Sequence, residues 1–413
     1  MTAPTRADLE ALDAADPLAR FRDAFDLPEG VIYLDGNSLG ALPKATAARL
    51  ADVTTREWGS DLIRSWNSNN WIEAPQRVGD KIARLIGAGA GEVVVGDSTS
   101  VNLFKLLAGA ISLRPGRRTI LTEPGNFPTD LYMMQGLEQL LGERLRVRVV
   151  PAEDLPDAID EDVIAVCLTH VHYKSARRWP MAEITAQAHA KGALAFWDLS
   201  HSAGALAVDL NGAGADLAVG CGYKYLNGGP GAPAFVFVAE RHQAQIHSPL
   251  TGWMGHADPF AFVDDYRPAA GIKRQLCGTP PILSLAALEV GIDLMLQADM
   301  AALEHKGGAL GDLFVALVEA RCESLGLTLA SPRRAADRGS HIVFAHPEAY
   351  AVMQALIARG VIGDFRAPDM LRFGFTPLYT QYVDLFAAVE SLQDVLAGEV
   401  YRDERFRRRL SVT

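Results

Sequence analysis

At 413 residues the chain is too long for one simple hydrophobic core, so a large domain with a smaller companion is expected. Apolar residues make up 49% and charged residues 22%, a globular balance. The net charge of −11, from 39 basic and 50 acidic side chains, argues against nucleic acid as a partner, and no apolar run is long enough to suggest a membrane span.

In chain order, residues 1–45 read as an N-terminal arm joining the smaller domain. Residues 46–284 carry short apolar strand patterns: Val93–Val95, Thr119–Thr122, Arg146–Val150, Val163–Leu168, Ala193–Trp197, Leu217–Val219 and Ala234–Val238. Helical stretches, among them 101–111 and 181–191, lie between several of them. Such alternation predicts an α/β fold with a mostly parallel seven-stranded sheet flanked by helices. Residues 285–413 change character. One long helical stretch over 284–325 leads to the strand pattern His341–Phe344, a helix near 348–359, the strand pattern Leu371–Phe375 and a final helix near 382–396. That order predicts a smaller α+β domain. The arginine-rich end (Arg402, Arg405, Arg407, Arg408, Arg409) reads as a solvated helix terminus.

The four cysteines, Cys167, Cys221, Cys277 and Cys322, are widely spaced, which suits reduced thiols of a cytoplasmic protein better than a disulfide frame or zinc site. The N-terminal residues show no basic stretch followed by an apolar core, so no leader is expected. No metal is expected: His170 and His172 have no carboxylate or cysteine set beside them.

The chemistry concentrates at strand ends. Asp198 closes the apolar run Ala193–Trp197, and Lys224 follows Leu217–Val219 and precedes the small, rigid loop Gly228–Gly231. A carboxylate that keeps a pyridine nitrogen protonated and a lysine suited to a Schiff base together point to pyridoxal phosphate. Burial is expected to favour the neutral, nucleophilic amine of Lys224. The segment Gly96–Asn102, between a strand and a helix, offers hydroxyls and backbone N–H groups to a phosphate, or serves as an ordinary helix cap. Phe127 either covers a planar cofactor or packs in the core. Arg372, alternating with Leu371 and Phe373, suits a bidentate carboxylate contact or an interdomain salt bridge. Trp66 packs either on an aromatic substrate or in the core.

Six motifs occur in order: Tyr33-Leu-Asp-Gly-Asn-Ser-Leu-Gly40, Phe127-Pro-Thr-Asp130, Asp198-Leu-Ser-His201, Tyr223-Lys-Tyr-Leu-Asn227, Gly252-Trp-Met-Gly-His256 and Gly278-Thr-Pro-Pro-Ile282. With them the chain resembles the kynureninases, fold-type-I pyridoxal phosphate enzymes related to the class V aminotransferases, over about residues 30–380. The resemblance implies hydrolysis of L-kynurenine, and of its 3-hydroxy form, to anthranilate or 3-hydroxyanthranilate and L-alanine, in tryptophan breakdown or pyridine nucleotide synthesis. It implies that Lys224 carries the cofactor and shuttles a proton, that Asp198 pairs with the ring nitrogen, and that Phe127 stacks on the ring. Thr99, Ser100 and Tyr223 would hold the phosphate, Tyr223 relaying a further proton, while Asp130, Thr169 and His201 line the site. Arg372, Trp66 and Asn37 would face the substrate. A homodimer is implied too, with Trp253 and Thr279 reaching the neighbouring subunit's cofactor.

Two other readings stand beside this one. A cysteine desulfurase or aminotransferase would share Lys224 and Asp198, but a desulfurase needs a thiol on a mobile loop, and Cys322 falls in a helical stretch. A pyridoxal phosphate-binding regulator would add a basic DNA-binding region, for which the chain offers no candidate.

Overall fold

The structure, a computed structural model, describes residues 4–322 and 324–409. Two compact units divide the chain: residues 46–170 with 179–297, and residues 1–45 with 171–178 and 298–413.

The larger unit is built on seven strands: β1 (Val93–Val95), β2 (Thr119–Thr122), β3 (Arg146–Val149), β4 (Val163–Thr169), β5 (Leu194–Asp198), β6 (Leu217–Gly220) and β7 (Phe235–Val238). Their spatial order is β1-β7-β6-β5-β4-β2-β3. Strands β2 to β6 run parallel, and β7 is antiparallel to both of its neighbours. Strands β4 to β7 are buried along their whole length, as the unbroken Val/Ile/Leu/Phe runs require of a sheet covered on both faces. The edge strand β3 alternates apolar residues with Arg146 and Arg148, and such charges discourage pairing with another chain. The register of β4 with β5 sets Thr169 beside Asp198 at the carboxyl ends of the two strands, where open α/β sheets bind their ligands.

Two helices begin at that edge. Ser98 caps Thr99–Leu113 through a bond from the Val101 N–H to its hydroxyl, 3.3 Å. Pro128 opens Pro128–Leu141, where its missing N–H costs nothing.

In the smaller unit four short strands form an antiparallel sheet in the order β8-β9-β11-β10, comprising β8 (Thr328–Leu329), β9 (His341–Ala345), β10 (Asp364–Arg366) and β11 (Met370–Gly374). The helices Met300–Cys322, Ala349–Ile357 and Tyr382–Ala397 build one apolar core with it. The N-terminal segment belongs here. Asp13 of the helix Arg6–Ala15 accepts from the N–H groups of Tyr382 and Val383, at 2.7 and 2.9 Å, which caps the last long helix. The arginine-rich chain end is exposed as expected, with Arg405 and Arg407 in the last turn of the short helix Glu404–Arg407, and Arg409 also lies over the rings of Tyr350 and Phe365, 4.8 and 4.9 Å from their centroids.

Two expectations need correction. The stretch 284–325 is not one helix but two, Ile282–Met295 and Met300–Cys322, because the Asp299 carboxylate accepts from the Ala302 N–H at 2.9 Å and starts a new helix. The first of them packs on Ala74–Leu85, where Glu289 pairs with Arg77 and Lys81, so the division falls after Gln297 and not after Ser284.

Gly291 lets that helix approach the backbone that follows Lys224. A Cβ there would lie 2.2 Å from the Leu226 carbonyl oxygen and 2.9 Å from Asn227. Gly291→Ala is therefore expected to cost about 1–3 kcal/mol in urea unfolding, the usual price of overpacking. An unchanged midpoint would show that the contact is not tight.

Candidate functional site

The carboxyl edge of the large sheet encloses a cavity of about 140 Å³ lined by Ser98, Thr99, Ser100, Phe127, Thr129, Asp130, Thr169, Asp198, Ser200, His201, Tyr223 and Lys224. Widely separated motifs thus meet in one place, each delivered by a strand end or a helix start. Ser98, Thr129 and Ser200 fall within the segments Gly96–Asn102, Phe127–Asp130 and Asp198–His201 named from sequence, where no role of their own was assigned to them.

Lys224 is nearly buried, and its Nζ lies 3.0 Å from His201 Nε2 and 5.6 Å from the centre of the Phe127 ring. Its loop is closed by bonds from the Asn227 N–H to the Lys224 carbonyl and from the Gly228 N–H to the Gly222 carbonyl, both 2.9 Å. Asn227 takes the left-handed conformation that this tight return needs (φ 55°).

Asp198 and Asp130 are both buried and lie side by side. One Asp198 oxygen accepts from the Ser200 N–H at 2.8 Å. The Thr169 hydroxyl bonds to Asn126 and lies 3.2 Å from Asp130 Oδ2, while Asp130 Oδ1 has no hydrogen-bond partner among the described residues. Burial, then the Asp198 charge, holds the Asp130 carboxyl well above the usual range. Burial raises Asp198 too, opposed by its bonds to Ser200 and by the Lys224 charge. Burial also pushes the Tyr223 phenol up, so it stays protonated near neutrality. The cavity therefore offers two buried carboxyls, both raised, an amine beside an imidazole, and three hydroxyls at a helix start.

The remaining residues singled out from sequence lie elsewhere. Thr279 and Trp66 line a second, apolar cavity of about 450 Å³ in the larger unit, together with Trp58, Trp71 and Pro281. Trp66 meets Trp71 edge to face at 5.9 Å, and Trp71 donates to Glu57 at 2.6 Å. Trp66 thus faces an open aromatic pocket rather than a closed core. Trp253 is 40% exposed and contacts Phe260 and Phe262.

Arg372 and Asn37 belong to the smaller unit, and Arg372 is only 1% exposed. Its salt bridge is internal to the sheet, for Asp364 stands directly opposite it on β10. Arg372 Nε donates to Asp364 Oδ1 at 2.8 Å and Nη2 to Oδ2, while Nη2 and Nη1 also reach Ser38 Oγ and the Tyr173 carbonyl, both 2.8 Å. With its amide oxygen turned inward, Asn37 accepts from Nε and Nη2 at 3.0 and 3.1 Å. Arg366 Nη2 also donates to Asp364 Oδ2, at 2.5 Å. Burial, followed by the Asp364 charge, pushes Asp35 up to about 8. Asp364 itself is held low by the two arginines despite its burial. Among the described residues no group of three His, Cys, Asp or Glu could hold a metal ion.

Residues 303–392 match the family model described as the kynureninase C-terminal domain. The chain is 54% identical over 414 residues to a kynureninase from Pseudomonas fluorescens, covering 99% of this chain and all of that protein. It is also 54% identical over 415 residues to a kynureninase from Burkholderia pseudomallei, with the same coverage. Among solved structures, an apo cysteine desulfurase from Thermococcus onnurineus superposes with a TM-score of 0.77 at 18% identity, covering 92% of this chain and 98% of that one. At that identity the likeness concerns the fold alone.

The carboxyl pair gives a pH signature. A carboxyl held above its unfolded value favours folding below that value, and the contribution is lost as pH rises toward the folded one. In cofactor-free protein, Asp130→Asn should therefore gain stability relative to the parent chain as pH rises from 4 to 8, with the two alike near pH 4. Urea midpoints across that range measure it, and a constant difference would refute the buried, raised carboxyl.

Proposed function

The chain belongs to the kynureninase family, and on that premise we propose that it hydrolyses L-kynurenine to anthranilate and L-alanine with pyridoxal phosphate as cofactor. The observation that carries this reading is the gathering of Lys224, Asp198, Phe127, Thr99, Ser100 and Tyr223 around one cavity. The donor set fits the cofactor: an amine for its aldehyde, a buried carboxylate for its ring nitrogen, and hydroxyls at a helix N-terminus for its phosphate. When bound, the cofactor supplies a sink for the electron pair left on substrate carbon.

In this proposal Thr99, Ser100 and Tyr223 hold the phosphate, Asp198 keeps the ring nitrogen protonated, and Phe127 covers the ring. Asp130, Thr169 and His201 complete the wall, with Asp130 tuning the charge of Asp198. The Lys224 amine, freed when substrate binds, would take the proton from Cα and give one back there before alanine leaves, and His201 at 3.0 Å would orient it. With the electron sink in place, water would add to the γ-carbonyl, the Cβ–Cγ bond would break, Cγ would leave as the carboxylate of anthranilate, and Cβ would gain a proton to become the methyl group of alanine. Tyr223, a phenol near neutrality, is suited to relay that proton.

Arg372 is proposed to bind the substrate carboxylate with Asn37. Charge supports it: near neutrality Arg366 and Arg372 carry +2, Asp364 carries −1 and Asp35 is protonated, which leaves +1. Trp66 and the apolar pocket around it suit an aniline ring. A desulfurase reading is weaker, because Cys322 is buried in a helix with its thiol pushed up to about 11.

A homodimer is proposed as well. Exposed apolar groups on the larger unit, including Trp58, Ile63, Trp253 and Phe262 (76% exposed), form the kind of surface a second copy covers. Trp253 and Thr279 would then serve the partner's cofactor. A cytoplasmic location is favoured by the four free cysteines, and among the described residues no helix is long and apolar enough to cross a membrane.

Purified chain with added cofactor should release fluorescent anthranilate from L-kynurenine, with 3-hydroxy-L-kynurenine tested in parallel. Lys224→Ala should lower kcat by about a thousandfold or more. Absence of both products from the parent chain would refute the activity. Above pH 8, ionisation of Asp35 neutralises the arginine cluster, so KM should rise there; Asp35→Asn should remove that rise. An unchanged profile in Asp35→Asn would detach the cluster from the substrate.

A further inference from the structure

Lys105 is 1% exposed on the helix Thr99–Leu113, among apolar neighbours. A buried amine is costly unless paired, and its two partners define what it holds. Its Nζ lies 2.9 Å from Asp97 Oδ2 and donates to the Gln275 carbonyl at 2.7 Å.

Asp97 directly precedes Ser98, which caps the helix. It takes the left-handed conformation (φ 54°), and its carbonyl accepts from the Ala234 N–H at 2.9 Å. From the same helix, Asn102 Nδ2 donates to the Gly96 carbonyl at 2.8 Å. Two helix side chains, Asn102 and Lys105, therefore anchor the turn 96–97 from below, and that turn leads Ser98, Thr99 and Ser100 into the cavity. The Asp97 carboxylate, 30% exposed, adjoins the hydroxyls proposed to take a dianionic phosphate. Left without its cation it would repel that group.

We propose that Lys105 is a positioning residue for the cofactor phosphate, neutralising Asp97 and fixing the turn 96–97 so that Ser98 to Ser100 face the anion. The inference rests on the reading of this cavity as the pyridoxal phosphate site. Its second bond ties the same turn to the segment that runs through Cys277 to Thr279.

The test titrates cofactor-free protein with pyridoxal phosphate and, separately, with pyridoxal, following the absorbance of the bound cofactor. Lys105→Met should weaken pyridoxal phosphate by roughly ten- to a hundredfold and pyridoxal by less than about twofold. Adding Asp97→Asn in the Lys105→Met chain should restore phosphate-dependent binding to within about threefold of the parent. Equal loss for both ligands, no loss, or no recovery in the double variant would overturn the proposal. Should Lys105→Met fail to fold, Asp97→Asn alone decides: it keeps the cation and should bind pyridoxal phosphate at least as tightly as the parent, and selective weakening would overturn the role. A parent chain that takes up no pyridoxal phosphate would instead overturn the cofactor reading beneath it.

Discussion

Burying charge is expensive, and that cost organises the carboxyl edge of the large sheet. The β4–β5 register brings Thr169 alongside Asp198, while the start of the helix Pro128–Leu141 adds a second carboxyl, Asp130, with one oxygen left unsatisfied among the described residues. Burial and the neighbouring charge hold Asp130 well above the usual range, and burial raises Asp198 as well, opposed by its bonds to Ser200 and by the Lys224 charge. Such an arrangement is poorly compensated by the protein alone. The proposed roles answer to this: a ring nitrogen would pair with Asp198 and an aldehyde with Lys224, so that an aspartate and a lysine, each ordinary alone, are specific together.

The smaller unit meets the same cost by another route. Arg372 is buried because β10 sets Asp364 directly across from it, and Arg366 and Asp35 then set the balance of the cluster. Replacing Arg372 with lysine would keep the charge and lose the planar fork that holds Asp364 through Nε and Nη2 together, so the two cations are not interchangeable here.

The strands of the large sheet were legible because a sheet covered on both faces leaves unbroken apolar runs, and Lys224 and Asp198 stood out as charges placed at the ends of such runs. Other features left no such trace. Strand β10 is only Asp364 to Arg366, too short and too polar to read as a strand, so the partner of Arg372 could not be named. The break at Asp299 was hidden because apolar periodicity resumes at once on its far side. Trp66 sits on the four-residue helix Ser65–Ser68, too short for a periodic signal, and Thr279 on a loop, so no pattern joined them to one cavity. Lys105 was unreadable for a related reason: on paper it is one lysine in an apolar helix, and its meaning comes from Asp97 and the Gln275 carbonyl, the latter far away in sequence.

The likeness to a cysteine desulfurase at a TM-score of 0.77 shows how little the fold decides about the reaction. A parallel sheet with a cavity at its carboxyl edge and a lysine after a strand can serve many substrates. What separates one reaction from another is which further group can reach substrate carbon in the right protonation state. Desulfuration requires an ionised, mobile thiol, whereas the thiols of Cys167, Cys221, Cys277 and Cys322 are all raised by burial. Cleavage of a carbon–carbon bond beside a ketone requires proton carriers instead, and the groups proposed for that part are an amine against an imidazole and a phenol that keeps its proton near neutrality.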